Sequence, residues 1–424
     1  MIRKLTVEGM TVFQNQESFH FVPGINIIVG GNDSGKSHLM KLCYAISKWS
    51  AGGTKRDLPE VWAEEKRLRQ DLLRVFGTHD LTSLTSRSGG KEVHARVRAS
   101  MEGEKVPPGS AELAFNFKAH CEEEGLRITK VPERYLSSNA VFLSPREVLS
   151  IYPCYMQAGK RYPELLDSAS WELCRALETE PQGTPPQALR YVVKQIEQLL
   201  GGKLQRHNGR FYLQRPGQEA LELNLIAEGF KRIGTLGLLL SNGTVRPGTS
   251  LFWDEPEMNL NAGHLPLLVN MMMTLCRAGV QLLLTTHSLF LLRELVIQLS
   301  EQQNRAVSRK FFGLQAGRVQ GPRVSESDEL DKLAHLDSLE AEQEQADRYL
   351  GLMPQLSEEI RPCSRLVPAA WKGCTASISK RATTCAASSA PPSTPTMHRT
   401  SATAARRWIL CSTTPAKKNS GSSK

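Results

Sequence analysis

The chain has 424 residues, 40% of them hydrophobic and 23% charged, with 53 Lys or Arg, 43 Asp or Glu and nine Cys. That length supplies one large or two ordinary domains, but no membrane span: the most apolar segments, around 265–276 and 289–297, are broken by Asn270, Arg293 and Glu294 and fall short of roughly 18 apolar residues. The net charge of +10 belongs to one end only, because ten Lys or Arg and no Asp or Glu follow Arg361, which leaves residues 1–361 with 43 charges of each sign and no overall excess to draw in a nucleic acid.

The opening MIRKLTVEG reads as a strand and lacks the apolar centre of a signal peptide, so the expected address is the cytoplasm. Cysteines without a C-x-x-C pair fit reduced thiols there, with Cys43, Cys121, Cys154, Cys174 and Cys276 expected in the core. A second strand, Ile25 to Val29, runs straight into GGNDSGKS at residues 30–37, which satisfies G-x-x-x-x-G-K-[ST]. In such a loop the glycines let backbone N–H groups curl around phosphate oxygens, Lys36 reaches the β- and γ-phosphates, and the Ser37 hydroxyl ligates Mg²⁺. Leu39, Leu42, Cys43 and Ile46 then recur at i, i+3, i+4 and i+7, so a helix follows and its N-terminus points a partial positive charge at the phosphates. ATP and Mg²⁺ are the implied ligands, with Gly30, Asn32, Asp33, Ser34, Gly35, Lys36, Ser37 and His38 as nucleotide contacts.

Lys36 and Asp254 are 218 positions apart, so a large insertion is expected over residues 51–222. It contains charged helical stretches such as LPEVWAEEKRLRQDLLRVFG, a break at SRSGGKE and the helical run PQALRYVVKQIEQLLGG. Without sustained heptads it is no long coiled coil, and it reads as a mainly helical lid or partner-docking region. A helix is then expected from Glu228–Gly229, with Phe230, Ile233, Leu236 and Leu240 on one face and Asn242-Gly243 as its stop. Gly229 at that start leaves room for backbone donors to approach an anion, although a plain amphipathic helix would read alike.

Leu251, Phe252 and Trp253 form a short buried strand ending in Asp254 and Glu255, at the carboxyl edge where α/β sheets bind ligands. Asp254 would hold Mg²⁺ and Glu255 would polarise the attacking water. Val280 to Leu284 form another apolar strand, and His287 at its end can reach a γ-phosphate or serve as a polar cap. Leu330, Leu333, Leu336 and Leu339 suggest a closing amphipathic helix, completing a segment over 223–361. Residues 362–424 are rich in Ser, Thr, Ala and Pro without periodicity, so disorder is expected. An abrupt loss of acids is also what an out-of-frame reading of a GC-rich gene produces, and both origins for this tail stay open.

The segments GINIIVGGNDSGKSHLMKLCYAI, NLIAEGFKRI, LFWDEPEMNLN and LLLTTHS, in this order, resemble the ABC-type branch of P-loop ATPases, specifically the soluble AAA-family proteins related to RecF, Rad50 and the overcoming-lysogenization-defect nucleases. The resemblance covers roughly residues 1–350. It implies an α/β fold of ABC-ATPase type and a composite site: Walker A, Asp254, Glu255 and His287 on one subunit, closed by the Glu228–Gly229 helix start of another. Asn259 and Asn261 would make the cross-subunit contact or simply cap a helix. Pro145, Arg146 and Glu147 replace the usual glutamine of the metal-sensing loop. A homodimer or higher oligomer that controls a separate effector, a nuclease or toxin of a PARIS- or Septu-type phage-defence pair, is the leading expectation. A repair or chromosome-maintenance ATPase binding DNA directly is the alternative.

Overall fold

The computed structural model describes residues 1–52, 61–86, 94–103, 109–118, 125–135, 139–162, 166–181, 183–317 and 321–334, with single positions up to 348. All of them lie in one unit, Met1–Arg348. The 362–424 tail and Cys121 lie outside the described residues.

The N-terminal third supplies β1 (Ile2–Glu8), β2 (Glu17–His20), β3 (Ile25–Gly30), α1 (Lys36–Ala51), α2 (Val61–Phe76), β4 (His94–Met101), β5 (Glu112–Lys118), β6 (Leu126–Lys130) and β7 (Ala140–Leu143). Next come α3 (Tyr152–Arg161), α4 (Ser168–Glu178), α5 (Gln187–Leu200), the small strands β8 (Lys203–His207), β9 (Arg210–Gln214) and β10 (Leu221–Glu222), and α6 (Glu228–Ser241). The chain continues through β11 (Ser250–Asp254), α7 (Leu265–Arg277), β12 (Gln281–Thr286), α8 (Leu289–Ser300), β13 (Arg309–Gln315) and β14 (Arg323–Ser327).

The central sheet has the order β14-β13-β3-β12-β11-β7. From β13 to β7 every pair is parallel, and β14 closes one edge antiparallel to β13. β3 and β12 are buried at every position, which is why both read as mainly apolar runs rather than as alternating ones. Their side chains still alternate between two cores. Ile25, Ile27, Val29, Leu251, Trp253, Leu282 and Leu284 face α5 to α8, while Ile28, Phe252 and Leu283 face α1 and the antiparallel sheet β2-β1-β4-β5-β6. Leu283 is 0% exposed at the centre of that second layer. Leu283→Ala is therefore expected to lower stability by about 2–5 kcal/mol, read as a fall in the urea midpoint at unchanged slope.

One expectation needs correction. Residues 51–222 hold α2 to α5, but they also contribute seven strands, and these are not a separate lid: β4 to β6 complete the antiparallel sheet and β7 pairs with β11 in the central one. The leucine-rich stretch after β14 opens with a 3-10 turn, Leu330–Lys332, and Leu333 in extended backbone, and helical backbone is described further along the segment at residues 341, 344–345 and 347–348, where a closing helix is expected. Leu336 and Leu339 lie outside the described residues. Of the cysteines, Cys43 and Cys174 are buried and Cys276 partly so, whereas Cys154, in the first turn of α3, is exposed. No helix among the described residues is long and apolar enough to cross a membrane.

Candidate nucleotide site

Register brings the three motif-bearing strands to one edge: Thr286 is level with Val29, and Asp254 with Thr285. The loop after β3 is shaped by backbone demands. Gly35, the N-cap of α1, has φ +92, and a Cβ there would sit 2.4 Å from Val12 Cγ2. At Gly30 a Cβ would lie 2.2 Å from the Leu314 carbonyl oxygen, so a side chain fits at neither place. Ser34 is buried and its hydroxyl donates to Gly31 O at 2.9 Å, while Asn32 and Asp33 are exposed, Asp33 with φ +61. Lys36 is only 7% exposed and donates to Gly30 O at 2.8 Å and Gly31 O at 2.7 Å. Burial pushes its amine below the usual lysine range, against the pull of Glu255, Asp254 and Glu257. His38 is turned toward α2: its ring lies 6.0 Å from that of Phe76, its Nδ1 is buried without a partner among the described residues, and burial lowers its pKa.

Asp254, at the end of β11, joins β12 to the helix that follows the phosphate loop. Its Oδ1 accepts from Ser37 Oγ at 3.4 Å and from the Thr285 hydroxyl. Burial raises its pKa, and those two hydrogen bonds oppose the rise. Glu255 follows in left-handed backbone, φ +48, which a non-glycine residue adopts only at a cost of order 1–3 kcal/mol. Its N–H donates to Thr285 O at 3.2 Å, and its Oε1 meets His287 Nδ1 at 3.0 Å. The strain thus turns the Glu255 carboxylate off the ladder and toward His287, whose side chain is 53% exposed.

Two residues that the motif spacing did not single out complete the site. Arg232, one turn into α6, donates to the carbonyls of Met258 at 3.0 Å, Asp254 at 3.0 Å and Glu255 at 2.9 Å. Glu257 accepts from the Thr286 hydroxyl through Oε1, while its Oε2 is buried with no partner among the described residues; burial raises its pKa. Both were visible only as an Arg one turn after Glu228 and a third acid two residues after Glu255.

Glu228 pairs with Lys231 at 3.0 Å, and Lys231 donates to Ser150 at 3.2 Å. Among the described residues no hydrogen bond or ion pair joins Glu228 or Gly229 to residues 30–38. Gly229 is instead packed on the loop after β11, where a Cβ would lie 2.3 Å from Asn259 O. Asn259 is exposed with φ +63, and the Asn261 side chain accepts from Gly263 N at 2.8 Å, a capping bond. Glu147 is taken up locally, its carboxylate accepting from the N–H groups of Leu149 and Ser150.

The donor set fits a magnesium-bound nucleoside triphosphate. Gly30 and Gly35 let the loop pack tightly on Leu314 and Val12, the N-terminus of α1 and the Lys36 ammonium supply positive charge, and Ser37 and Asp254 offer two hard oxygens within 3.4 Å for one small cation.

Fold and site together define a mixed α/β protein in which a phosphate-loop motif joins β3 to α1. Residues 111–293 match the protein-family profile described as "AAA domain, putative AbiEii toxin, Type IV TA system". That span holds Glu228, Gly229, Asp254, Glu255 and His287, and the phosphate loop lies outside it. Among solved structures, the SMC head domain from Thermotoga maritima is 12% identical at a TM-score of 0.41, covering 77% of this chain and 98% of that one. An SMC head bound to the C-terminal winged-helix domain of ScpA is 16% identical at 0.45, covering 78% and 98%. One with an extended coiled coil, bound to the C-terminal domain of ScpA derived from Pyrococcus furiosus, is 14% identical at 0.44, covering 82% and 99%. No curated protein matches the chain.

Proposed function

We propose that the chain binds and hydrolyses ATP with Mg²⁺, as a switch whose assembly into a dimer or higher oligomer controls a separate effector, in bacterial anti-phage defence of the PARIS or Septu kind. The observation that carries the hydrolytic part is the junction at Asp254, where the helix after the phosphate loop, the β11 end and the β12 end meet through Ser37 and Thr285. In this reading Gly30, Asn32, Asp33, Ser34, Gly35 and Lys36 hold the phosphates, Ser37 and Asp254 hold the metal, Glu255 orients the water, and His287 follows the γ-phosphate. The profile's description names a toxin of a toxin–antitoxin system, which supports an effector partner.

Sharing of the site between subunits is favoured by the Glu228–Gly229 start, which is bonded away from its own phosphate loop. Mixing tests it. Gly229→Arg is a poor probe, because its side chain would strike Asn259 of its own chain. Ala227, the exposed N-cap of α6 with extended-type backbone, accepts bulk without that collision. Ala227→Trp and Lys36→Met proteins should each be nearly inactive, yet freely exchanging mixtures should regain part of the activity, since each mixed pair contains one complete site. An inactive mixture that demonstrably exchanges subunits contradicts sharing.

One observation favours direct DNA binding as a second reading. On the outer face of the antiparallel sheet, register sets Lys4 beside Ser100, Thr6 beside Arg98, Glu8 beside Arg96 and His94 beside Lys118, and Lys4, Arg98 and Lys118 form no ion pair among the described residues. Salt-sensitive duplex binding lost in Arg98→Glu would support it.

A further inference from the structure

We propose that Glu257 is a positioning residue, a role that rests on the hydrolytic reading above: through the Thr286 hydroxyl it sets the segment carrying His287 against Glu255. β11 and β12 run side by side only as far as the Asp254–Thr285 pair. Past that point the two chains are held together by cross-links between loops. Glu255 N–H donates to Thr285 O, the Thr286 hydroxyl donates to Glu257 Oε1, and His287 Nδ1 meets Glu255 Oε1 at 3.0 Å.

The Thr286 link differs from the others in what lies behind it. A hydroxyl has one proton to give and lone pairs to accept with. With its proton directed at Glu257, Thr286 Oγ1 accepts the Ser288 N–H at 3.0 Å, and the Ser288 side chain in turn accepts from Leu291 N at 3.3 Å to cap α8. His287 sits between the two anchored positions. Glu257 therefore orients the hydroxyl that fixes the turn on both sides of the histidine, without touching the histidine ring itself.

The Glu257 main chain is pinned as well, its carbonyl accepting from Leu260 N at 3.0 Å. From the opposite side Arg232 grips the neighbouring Met258 and Asp254 carbonyls. Its carboxyl group is thus held at a fixed height above the sheet edge. Oε2 of the Glu257 carboxyl group is buried without a donor among the described residues, a placement that solvation does not favour, while Oε1 takes the Thr286 hydroxyl.

Three variants test the role: Glu257→Ala and Thr286→Val, which break the link, and Glu257→Gln, which keeps an acceptor oxygen for Thr286. Breaking it should lower kcat roughly tenfold while KM for MgATP stays within about twofold, and the double variant should be no worse than the poorer single one. Glu257→Gln should retain kcat within about threefold of wild type, which separates the link from loss of the fold. The ring resonance of His287 should move in Glu257→Ala and Thr286→Val and keep its place in Glu257→Gln. That readout requires no hydrolysis, so it stands even if the chain proves not to turn over ATP. An unmoved His287 resonance in Glu257→Ala, a raised KM at unchanged kcat, or single effects that multiply in the double variant would each overturn the role.

Discussion

Glu255→Gln should bind ATP and Mg²⁺ as the wild type does, yet turn over more slowly by roughly 10²–10⁴-fold, the range for losing a general base. The amide has the volume of the carboxylate and still offers an oxygen to His287 Nδ1, so the 3.0 Å contact and the surrounding loop can persist. Asp254, with its Ser37 and Thr285 partners, is untouched, and the metal contacts remain. What is lost is basicity at the point where a water would be polarised, which raises the barrier by about 3–5 kcal/mol. If ATP holds subunits together, the variant should accumulate in the associated form, seen as a larger species by light scattering with ATP. Wild-type turnover in folded Glu255→Gln would show that another group, with Glu257 the nearest alternative in sequence, orients the water.

Strands buried on both faces were legible because burial favours apolar side chains on both: β3, β11 and β12 stand out as mainly apolar runs, and the chemistry-bearing residues sit at their ends. The antiparallel sheet was harder to see, although β4 alternates strictly, with Ala95, Val97, Ala99 and Met101 inward and Arg96 and Arg98 outward. Most of its pairings join consecutive strands, but the β1–β4 pairing that unites them spans a long stretch of sequence, and no local signal marks it. The closing helix starts later than its first leucines suggest: Leu330 lies in a 3-10 turn and Leu333 in extended backbone, while helical backbone is described at residues 341, 344–345 and 347–348. Leucines every third residue drift about 60° per step around a helix of 3.6 residues per turn, so they do not mark where one face begins.

Arg232 and Glu257 escaped notice for a different reason. Their roles consist of tertiary bonds, to four main-chain carbonyls in one case and to the end of the neighbouring strand in the other, and a charged residue near a motif carries no mark of what it will touch. Gly229 illustrates the converse. The sequence marks it as special at a helix start, and the structure supplies a close approach to Asn259 O that requires a glycine whatever else it does.

Removing the Lys36 charge should abolish nucleotide binding, and the structure decides which substitution to trust. Although lysines are ordinarily solvent-exposed, Lys36 is 7% exposed and ties Gly30 O and Gly31 O together through its ammonium group. Any neutral substitution leaves those two carbonyls short of a donor, at a cost of about 1–3 kcal/mol for an unmet buried partner, and Lys36→Ala deletes the buried stem as well. A loop loosened in that way could lose affinity without any phosphate contact being involved. Lys36→Met keeps most of the stem's packing and removes only the ammonium. Both variants should fail to bind ATP by calorimetry at concentrations that saturate the wild type, with the unfolding temperature of Lys36→Met staying nearer to wild type than that of Lys36→Ala. Ligand linkage gives an independent check: at a hundredfold excess over Kd, ATP should stabilise the wild type by about 2.7 kcal/mol, and this increment should vanish in both variants. Wild-type affinity and an undiminished ATP-dependent increment in Lys36→Met would mean that the loop at residues 30–37 does not hold the phosphates.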